Sequence, residues 1–243
     1  MPTISHTESS IRIPRTRSQF LEPIGSRDQG HQGRLRYLTG GSGAPLVLLH
    51  TVRTQAEHFR HLLLGESLGA TLVLTAAADL PDRVRRVVSV NPYDYAGGIA
   101  RSSLLARLIV TGVITPGIGS LLARLEPKPV MRAILAGGLG DPAALREDYL
   151  DELLKVGHHP GYSTVARAVY RNLPSLIAAR ARYPQVTAPV HLIYGEQDWS
   201  RPSDRQANRR QLPDAEFTQV PKAGHFVALE RPDVPADLLN SVA

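Results

Sequence analysis

One serine in this sequence has the neighbours of a catalytic nucleophile. Ser67 stands in the segment Gly65-Glu66-Ser67-Leu68-Gly69, which follows a short apolar run and precedes an Ala- and Leu-rich stretch typical of a helix. On a tight turn from strand to helix, the residues two before and two after the serine approach too closely for a Cβ atom, so both must be glycine. Such a turn lifts the Ser67 hydroxyl clear of the sheet and points the Leu68 N–H toward a developing oxyanion. A Gly/Ser turn without chemistry is the alternative interpretation.

A base and an acid for this serine are present later in the chain. A serine hydroxyl is a weak nucleophile and needs a base that is itself oriented by an acid. Asp198 follows one predicted strand and His225 lies in a glycine-containing loop after another. Catalytic groups of open α/β sheets gather at the carboxyl ends of the strands. The order Ser67, Asp198, His225 is that of one class of catalytic triad. Asp94, also at a strand end, is the alternative acid, although we expect it to cap or pair near the point where the chain enters the helical insertion.

The elements that would carry these residues alternate between strands and helices. We predict strands at residues 34–39, 45–50, 61–65, 84–90, 190–194 and 217–220, and helices at 68–80, 203–211 and from 233 onward. The apolar runs PLVLLH and VHLIY are typical of strands buried on both faces. This alternation predicts an α/β fold with a mostly parallel sheet.

Residues 96–186 interrupt this alternation because they contain no convincing strand. We predict helices at 102–109, 143–156 and 163–182, with Gly- and Pro-containing joints at 112–119, 137–142 and 158–161. Asp141 before Pro142 predicts a capped helix start. The predicted domains are therefore a polar N-terminal arm at 1–33 with a short strand near residues 20–21, a core of 34–95 and 187–243, and a helical insertion of 96–186.

Five segments carry a resemblance to the α/β-hydrolase family: PLVLLH, GESLGA, VVSVNP, LIYGEQD and KAGHF. The resemblance extends over roughly residues 34–243. The resemblance implies that Ser67 is the nucleophile, His225 the base and Asp198 the orienting acid. It also implies that residues 96–186 form a cap over the pocket. Epoxide hydrolases and haloalkane dehalogenases resemble this family but have aspartate at the elbow, so a serine there favours ester or thioester hydrolysis or related acyl transfer.

The resemblance further assigns the oxyanion hole to the N–H groups of Leu68 and Val52. The chain departs from the family here, since Thr51 stands where the family has glycine. A β-branched residue restricts the backbone at this point. Losing one oxyanion donor costs about 10²- to 10³-fold in rate.

The link between the PLVLLH strand and the elbow strand is short. Only residues 51–60 intervene where the family has a helix, a strand and a second helix. Because a parallel crossover needs about a dozen residues or more, we predict that one core strand is missing. Either residues 34–39 pair directly with 45–50 through the GGSG turn, or the sheet is damaged. We expect low activity and a fold less stable than that of a complete relative.

Composition excludes several classes of function. The chain has 243 residues, no cysteine and a net charge of +6, and its basic residues, 25 Arg and 3 Lys, are scattered. The absence of cysteine excludes a disulfide scaffold, a thiolate metal site and a cysteine nucleophile. The scattered basic residues disfavour nucleic-acid binding. His158 and His159 are adjacent and diverge, so we expect no metal ion, and no organic cofactor is implied. The apolar stretch 108–123 is too short to span a bilayer. We expect it to line a pocket; lying on a membrane surface is the alternative.

These observations predict a serine hydrolase that cleaves a small or medium apolar ester, or a related acyl substrate, through a Ser-His-Asp triad. One alternative is a shortened, weak or inactive hydrolase that acts as a binding module. A further alternative is a C–C bond hydrolase or a cofactor-free peroxidase-type enzyme on the same triad. The N-terminus lacks the apolar region of a secretory signal, so we expect a cytoplasmic protein. Glu66 is predicted either to face the pocket or to solvate the turn, and the oligomeric state stays open.

Overall fold

The computed structural model describes residues 16–21, 35–40, 65–81, 84, 86–122 and 127–240. Strands in these ranges are β1 (Thr16–Leu21), β2 (Leu35–Gly40), β3 (Gly65–Glu66), β4 (Val87–Val90), β5 (Val190–Gly195) and β6 (Glu216–Val220). The α-helices are α1 (Leu68–Asp79), α2 (Leu104–Ile114), α3 (Gly119–Leu122), α4 (Lys128–Ala136), α5 (Glu147–Gly157), α6 (Tyr162–Ala179), α7 (Pro202–Gln211), α8 (Val227–Glu230) and α9 (Asp233–Asn240). Short 3-10 helices lie at Gly98–Arg101, Pro142–Ala144 and Arg180–Gln185.

The last four strands form one parallel sheet in the order β3-β4-β5-β6. Glu66 pairs with Val90, Val90 with Ile193, and Gly195 with Val220, so the carboxyl ends of all four strands meet at one edge. This confirms the predicted α/β fold with a parallel sheet. Within the described residues the sheet has four strands, which is consistent with a shortened core.

Side chains alternate between two apolar layers along the central strands. Val88 and Val90 of β4 and Ile193 of β5 pack with Val227 of α8, and with α9. Their sequence neighbours belong to a second layer with α1 and the end of α7, which contains Leu74, Ala77, Val87, Val190, Leu192, Tyr194 and Leu212. Because successive side chains of a strand point to opposite faces, the sheet is covered on both sides. This double burial explains why β4 and β5 are buried along their whole length and are mostly apolar.

Helices alone make up the regular structure of the described residues between β4 and β5. Helix α2 begins after Ser103, whose hydroxyl accepts from the Ala106 N–H, and it continues through Gly112 to Ile114. The predicted joint at 112–119 is therefore wrong in its first residues. A Cβ at Gly112 would lie 2.8 Å from Leu122 Cδ1, so this glycine allows α3 to pack closely on α2. None of the described helices is long and apolar enough to cross a membrane.

The helix predicted from Asp141 is shorter than expected. The Asp141 carboxylate does accept from the Ala143 N–H, at 2.9 Å. However, the helix it starts is a single 3-10 turn, which ends at Leu145 with an extended backbone. Leu145 is buried in a cluster with α4 and α5, and α5 begins only at Glu147. Helix α4 coincides with none of the predicted helices.

The predicted N-terminal arm contains a longer strand than expected. All six residues of β1 pair antiparallel with β2, from Thr16 opposite Gly40 to Leu21 opposite Leu35. The predicted strand at 45–50, the link at 51–60 and most of the strand predicted at 61–65 lie outside the described residues. The GGSG hairpin, the missing core strand and the division into arm, core and cap therefore stay predictions.

Candidate active site

Ser67 lies on the turn between β3 and α1 in a backbone conformation that few side chains adopt. Its φ is 59° and its ψ is −119°. Its N–H donates to the Val90 carbonyl at 2.9 Å, and its own carbonyl accepts from the Tyr93 N–H at 3.1 Å. A Cβ at Gly65 would lie 2.2 Å from the Gly69 carbonyl oxygen, so the elbow requires glycine at position 65. These contacts hold the strained turn in place.

Three side chains predicted from separate strand ends come together at this turn. His225 Nε2 lies 2.8 Å from Ser67 Oγ, and His225 Nδ1 lies 2.5 Å from Asp198 Oδ1. All three residues are buried. Because an ionised Asp198 can only accept, His225 Nδ1 donates to it, which leaves Nε2 to accept from the Ser67 hydroxyl. The arrangement can activate a serine oxygen as a nucleophile.

The surroundings of Asp198 keep its carboxylate ionised. Burial raises the pKa of this carboxyl, but the attraction of His225 and hydrogen bonds from His225 and Ser200 outweigh it and hold the pKa below its usual range. Asp198 Oδ2 accepts from the Ser200 N–H at 3.0 Å and from the Ser200 hydroxyl. Arg205 Nε donates to that hydroxyl oxygen at 3.0 Å. Ser200 was not among the predicted site residues, although an aspartate that binds the backbone two residues on is a common turn.

The ring and the backbone of His225 are both fixed by neighbours. The indole of Trp199 stacks on the imidazole with ring centres 4.0 Å apart. Trp199 Nε1 donates to the Gly137 carbonyl at 3.0 Å, and the His225 N–H donates to the Gly138 carbonyl at 2.6 Å. The loop after α4 therefore holds the base in position, which the sequence did not predict.

Asn91 joins two of the loops that carry the site. Its Nδ2 donates to the carbonyls of Gly224 and His225 at 3.1 and 2.8 Å. Its Oδ1 accepts from the Gly195 N–H, at the end of β5, at 2.9 Å. Asn91 has a φ of 46°, a conformation that asparagine tolerates better than most residues. The Asn-Pro pair after β4 was noticed only as part of the family pattern, and its structural role was missed.

One of the two predicted oxyanion donors lies beside the serine. Leu68 is the first residue of α1, where a backbone N–H has no acceptor within its own helix, and it lines the cavity next to Ser67. Val52 lies outside the described residues, so its place in the oxyanion hole stays a prediction.

A cavity of about 430 Å³ opens above Ser67 and His225. Its walls include Leu105 and Ile109 of α2, Met131 of α4 and further residues of α5 and α6. None of the described residues that line it is an aspartate, glutamate, lysine or arginine. The volume lies in the range of small-molecule sites. The site therefore favours an uncharged, apolar group next to the nucleophile.

The apolar stretch at 108–123 faces in two directions. Leu108 and Leu122 line the cavity, as predicted. Both are also partly exposed, and Ile118 and Leu121 are exposed to 58% and 60%. This stretch therefore contributes residues to the cavity wall, and other apolar residues of the same stretch are exposed to solvent. Ala123 lies outside the described residues.

Asp94 does not contact His225. It is fully buried, and it accepts from the Tyr183 hydroxyl at 2.7 Å and from Asn208 Nδ2 at 2.8 Å. Burial raises the pKa of its carboxyl to about 6, against the hydrogen bonds that favour ionisation. Its role is to pair with two neutral donors inside the protein. The alternative triad acid is therefore not brought to the base.

Both predictions for Glu66 are wrong. The residue is 3% exposed, so it does not solvate the turn, and it is not among the residues that line the cavity. Instead, its Oε1 accepts from the Ala228 N–H of α8 at 2.9 Å. Burial raises its pKa to about 8; the Ala228 hydrogen bond opposes this, and the nearby Asp198 and Glu230 carboxylates add to it.

His158 and His159 lie in the exposed turn after α5. Throughout the part of the chain that the structure describes, no three histidine, aspartate or glutamate side chains gather as metal ligands would.

Two known enzymes resemble this chain in sequence. The 2-(acetamidomethylene)succinate hydrolase of Mesorhizobium japonicum is 32% identical over 180 residues, which are 71% of this chain and 60% of that protein. The sn-1-specific diacylglycerol lipase of Mus musculus is 24% identical over 184 residues, which are 74% of this chain and 57% of that protein. The chain thus spans less than two thirds of the length of either relative.

Solved structures share the fold. The haloalkane dehalogenase DatA of Agrobacterium tumefaciens C58 matches with a TM-score of 0.74 and 18% identity, over 94% of this chain and 96% of that chain. The epoxide hydrolase CorEH matches with a TM-score of 0.72 and 18% identity, over 93% of this chain and 98% of that chain. The sequence profile of the alpha/beta hydrolase family matches residues 28–238. The chain belongs to the alpha/beta hydrolase family.

Proposed function

We propose that this protein is a serine hydrolase that cleaves a small or medium apolar ester through Ser67, His225 and Asp198. The observation that carries the proposal is the hydrogen-bonded chain of these three side chains at the base of a cavity whose described walls bear no charge. A serine oxygen 2.8 Å from an imidazole nitrogen suits acyl chemistry.

Acylation begins when Ser67 Oγ attacks the ester carbonyl carbon. His225 Nε2 takes the hydroxyl proton, and the ionised Asp198 stabilises the imidazolium that forms. The Leu68 N–H, together with that of Val52, would stabilise the oxyanion. The intermediate collapses as His225 returns the proton to the leaving alcohol. In deacylation, water loses a proton to the same imidazole and attacks the acyl carbon. His225 then returns this proton to Ser67 Oγ as the bond between Oγ and the acyl carbon breaks, which releases the acid.

The cavity supports an uncharged substrate. A dicarboxylate, such as the one in the name of the Mesorhizobium relative, would have to lose its hydration in this pocket without a cation among the described lining residues. The mouse relative is named for a lipase, whose substrate carries apolar acyl chains. Apolar walls favour an acyl group of that kind, because burying it in the cavity removes its surface from water.

The experiment is covalent labelling with a fluorophosphonate probe, followed by hydrolysis of p-nitrophenyl esters of increasing acyl length. We expect the wild-type protein to be labelled and Ser67→Ala to be unlabelled and inactive. Ser175→Ala, an exposed serine on α6, is the matched control and should behave as wild type. A folded wild-type protein that is not labelled would favour the binding-module alternative. Labelling without ester turnover would favour C–C bond hydrolysis.

A further inference from the structure

The loop after α4, residues 137–141, lies directly against the loop that carries His225. Gly138 accepts from the backbone N–H of His225 at 2.6 Å. Gly137 accepts from the indole of Trp199 at 3.0 Å, and that indole stacks on the His225 ring. The position of the imidazole therefore depends on a loop that lies some 90 residues earlier in the chain.

The two loops approach so closely that their backbones touch. A Cβ at Gly140 would lie 1.9 Å from the Lys222 carbonyl oxygen, and a Cβ at Gly224 would lie 2.3 Å from the Gly138 carbonyl oxygen. A Cβ at Gly138 would lie 2.6 Å from the Trp199 ring. No side chain can stand between the loops at these points, so the two backbones are in direct contact.

A single carboxylate ties the two loops together. Glu230, the last residue of α8, accepts through Oε1 from the Gly140 N–H at 2.7 Å and from the Asp141 N–H at 2.9 Å. Through Oε2 it accepts from the Gly224 N–H at 2.6 Å. Three backbone donors from both loops thus converge on one side chain, and Gly224 is the residue immediately before His225.

We infer that Glu230 is a positioning residue, which fixes the distance between His225 Nε2 and Ser67 Oγ by clamping the 137–141 loop to the His225 loop. This inference rests on the proposed function. Proton transfer from Ser67 to His225 depends steeply on this distance, and a misplacement of about 1 Å can cost about 10²-fold in rate. Glu230 lines none of the cavity, so its replacement should affect kcat and leave KM nearly unchanged.

The test replaces Glu230 with Gln, which keeps one carbonyl oxygen and puts an NH₂ group where the second oxygen stood. One of the two loops then faces a donor instead of an acceptor. We expect the rate of fluorophosphonate labelling and kcat on p-nitrophenyl butyrate to fall by about 10- to 100-fold. KM should change less than about threefold, because substrate binding is left intact.

The matched control is Val234→Ala on α9, which removes apolar contacts with the sheet cluster next to α8. It should lower the melting temperature while kcat stays within about twofold of wild type. If Glu230→Gln lowers kcat no more than this control does at equal loss of stability, Glu230 is only structural and the inference is wrong. If Glu230→Gln does not fold, Glu230→Asp replaces it, because the shorter side chain keeps the charge but cannot reach both loops. Its loss of kcat is compared in the same way with that of Val234→Ala at equal loss of stability. A wild-type protein that is not labelled contradicts the proposed function itself, whereas normal labelling of the variant contradicts only the inference.

Discussion

Replacing Glu66 with Gln should stabilise the protein, and the gain should grow with pH. Glu66 is a buried carboxyl next to the nucleophile, and its oxygen accepts one hydrogen bond from the Ala228 N–H. Glutamine offers the same carbonyl acceptor in nearly the same volume. The two side chains differ in that glutamine can never become charged, so the comparison isolates the cost of ionising this buried group.

The size and the sign of the effect follow from the pKa. Burial raises the pKa of Glu66 to about 8, against a value of 4.5 for the free group. Between these two pH values the unfolded chain has released a proton that the folded protein still holds. The wild-type protein therefore loses stability as pH rises from 4.5, and the loss is complete above about 8. This difference in pKa limits the loss of wild-type stability to at most about 5 kcal/mol. Relaxation of the protein and water around the charged carboxylate should reduce the loss to about 2–3 kcal/mol.

The measurement is the melting temperature of both proteins at pH 5, 6, 7, 8 and 9. We expect similar melting temperatures at pH 5 and an advantage of about 4–12 °C for Glu66→Gln at pH 9, given a shift of about 2–4 °C per kcal/mol for a chain of this size. Asp214→Asn, which removes an exposed carboxylate, is the control and should give a difference that hardly changes over this range. A Glu66→Gln difference that is the same at every pH would mean that Glu66 is already ionised in the folded protein, and the reasoning from burial would be refuted.

Further predictions concern the triad, the elbow, the cavity and the short link. Asp198→Asn should lower kcat by about 10⁴-fold with little change in KM, because an amide N–H that donates to Nδ1 holds the imidazole in the tautomer with its proton on Nε2, which cannot accept from Ser67; a loss under tenfold would exclude Asp198 as the orienting acid. Gly65→Ala should lower the melting temperature sharply or prevent folding, because its Cβ would lie 2.2 Å from a backbone oxygen. Ile109→Trp should fill part of the cavity and so reduce hydrolysis of p-nitrophenyl octanoate far more than hydrolysis of p-nitrophenyl acetate. An equal loss of activity on both esters would contradict the assignment of this cavity as the acyl pocket. The link at residues 51–60 predicts a low melting temperature and slow ester turnover, and a cooperative melt at high temperature with brisk, Ser67-dependent turnover would contradict this.

The parts of the fold that the sequence predicted well have local causes. Strand β5 was placed to within one residue because a strand covered on both faces is mostly apolar, as VHLIYG is apart from His191. Helix α1 was placed well because its start is set by the elbow. The three residues Ser67, Asp198 and His225 could be grouped because parallel strands end at a common edge of the sheet, so position along the chain already determines position in space.

The supporting residues could not be found in this way. Asn91 and Glu230 act through backbone groups of loops that lie 90 to 134 residues away, or across a turn. Such contacts leave no periodic pattern in the sequence, because a side-chain oxygen accepts from a backbone N–H, or a side-chain NH₂ group donates to a backbone carbonyl, and nearly every residue has both backbone groups. Only the glycines of the 137–141 loop hint at them, and glycine is equally common in ordinary joints between helices.

Glu66 lies where neither sequence-based alternative placed it. Both alternatives kept the residue in contact with water or with the pocket, in keeping with the general rule that carboxylates are almost never fully buried unless they are paired. The rule assumes that the group stays charged. In the folded protein the elbow turns the side chain toward α8, where a single N–H is available, and the group avoids the cost of a buried charge by holding its proton. The sequence predicted the geometry of the turn but not the surroundings of the Glu66 side chain. Those surroundings come from α8, whose Ala228 lies 162 residues later in the chain.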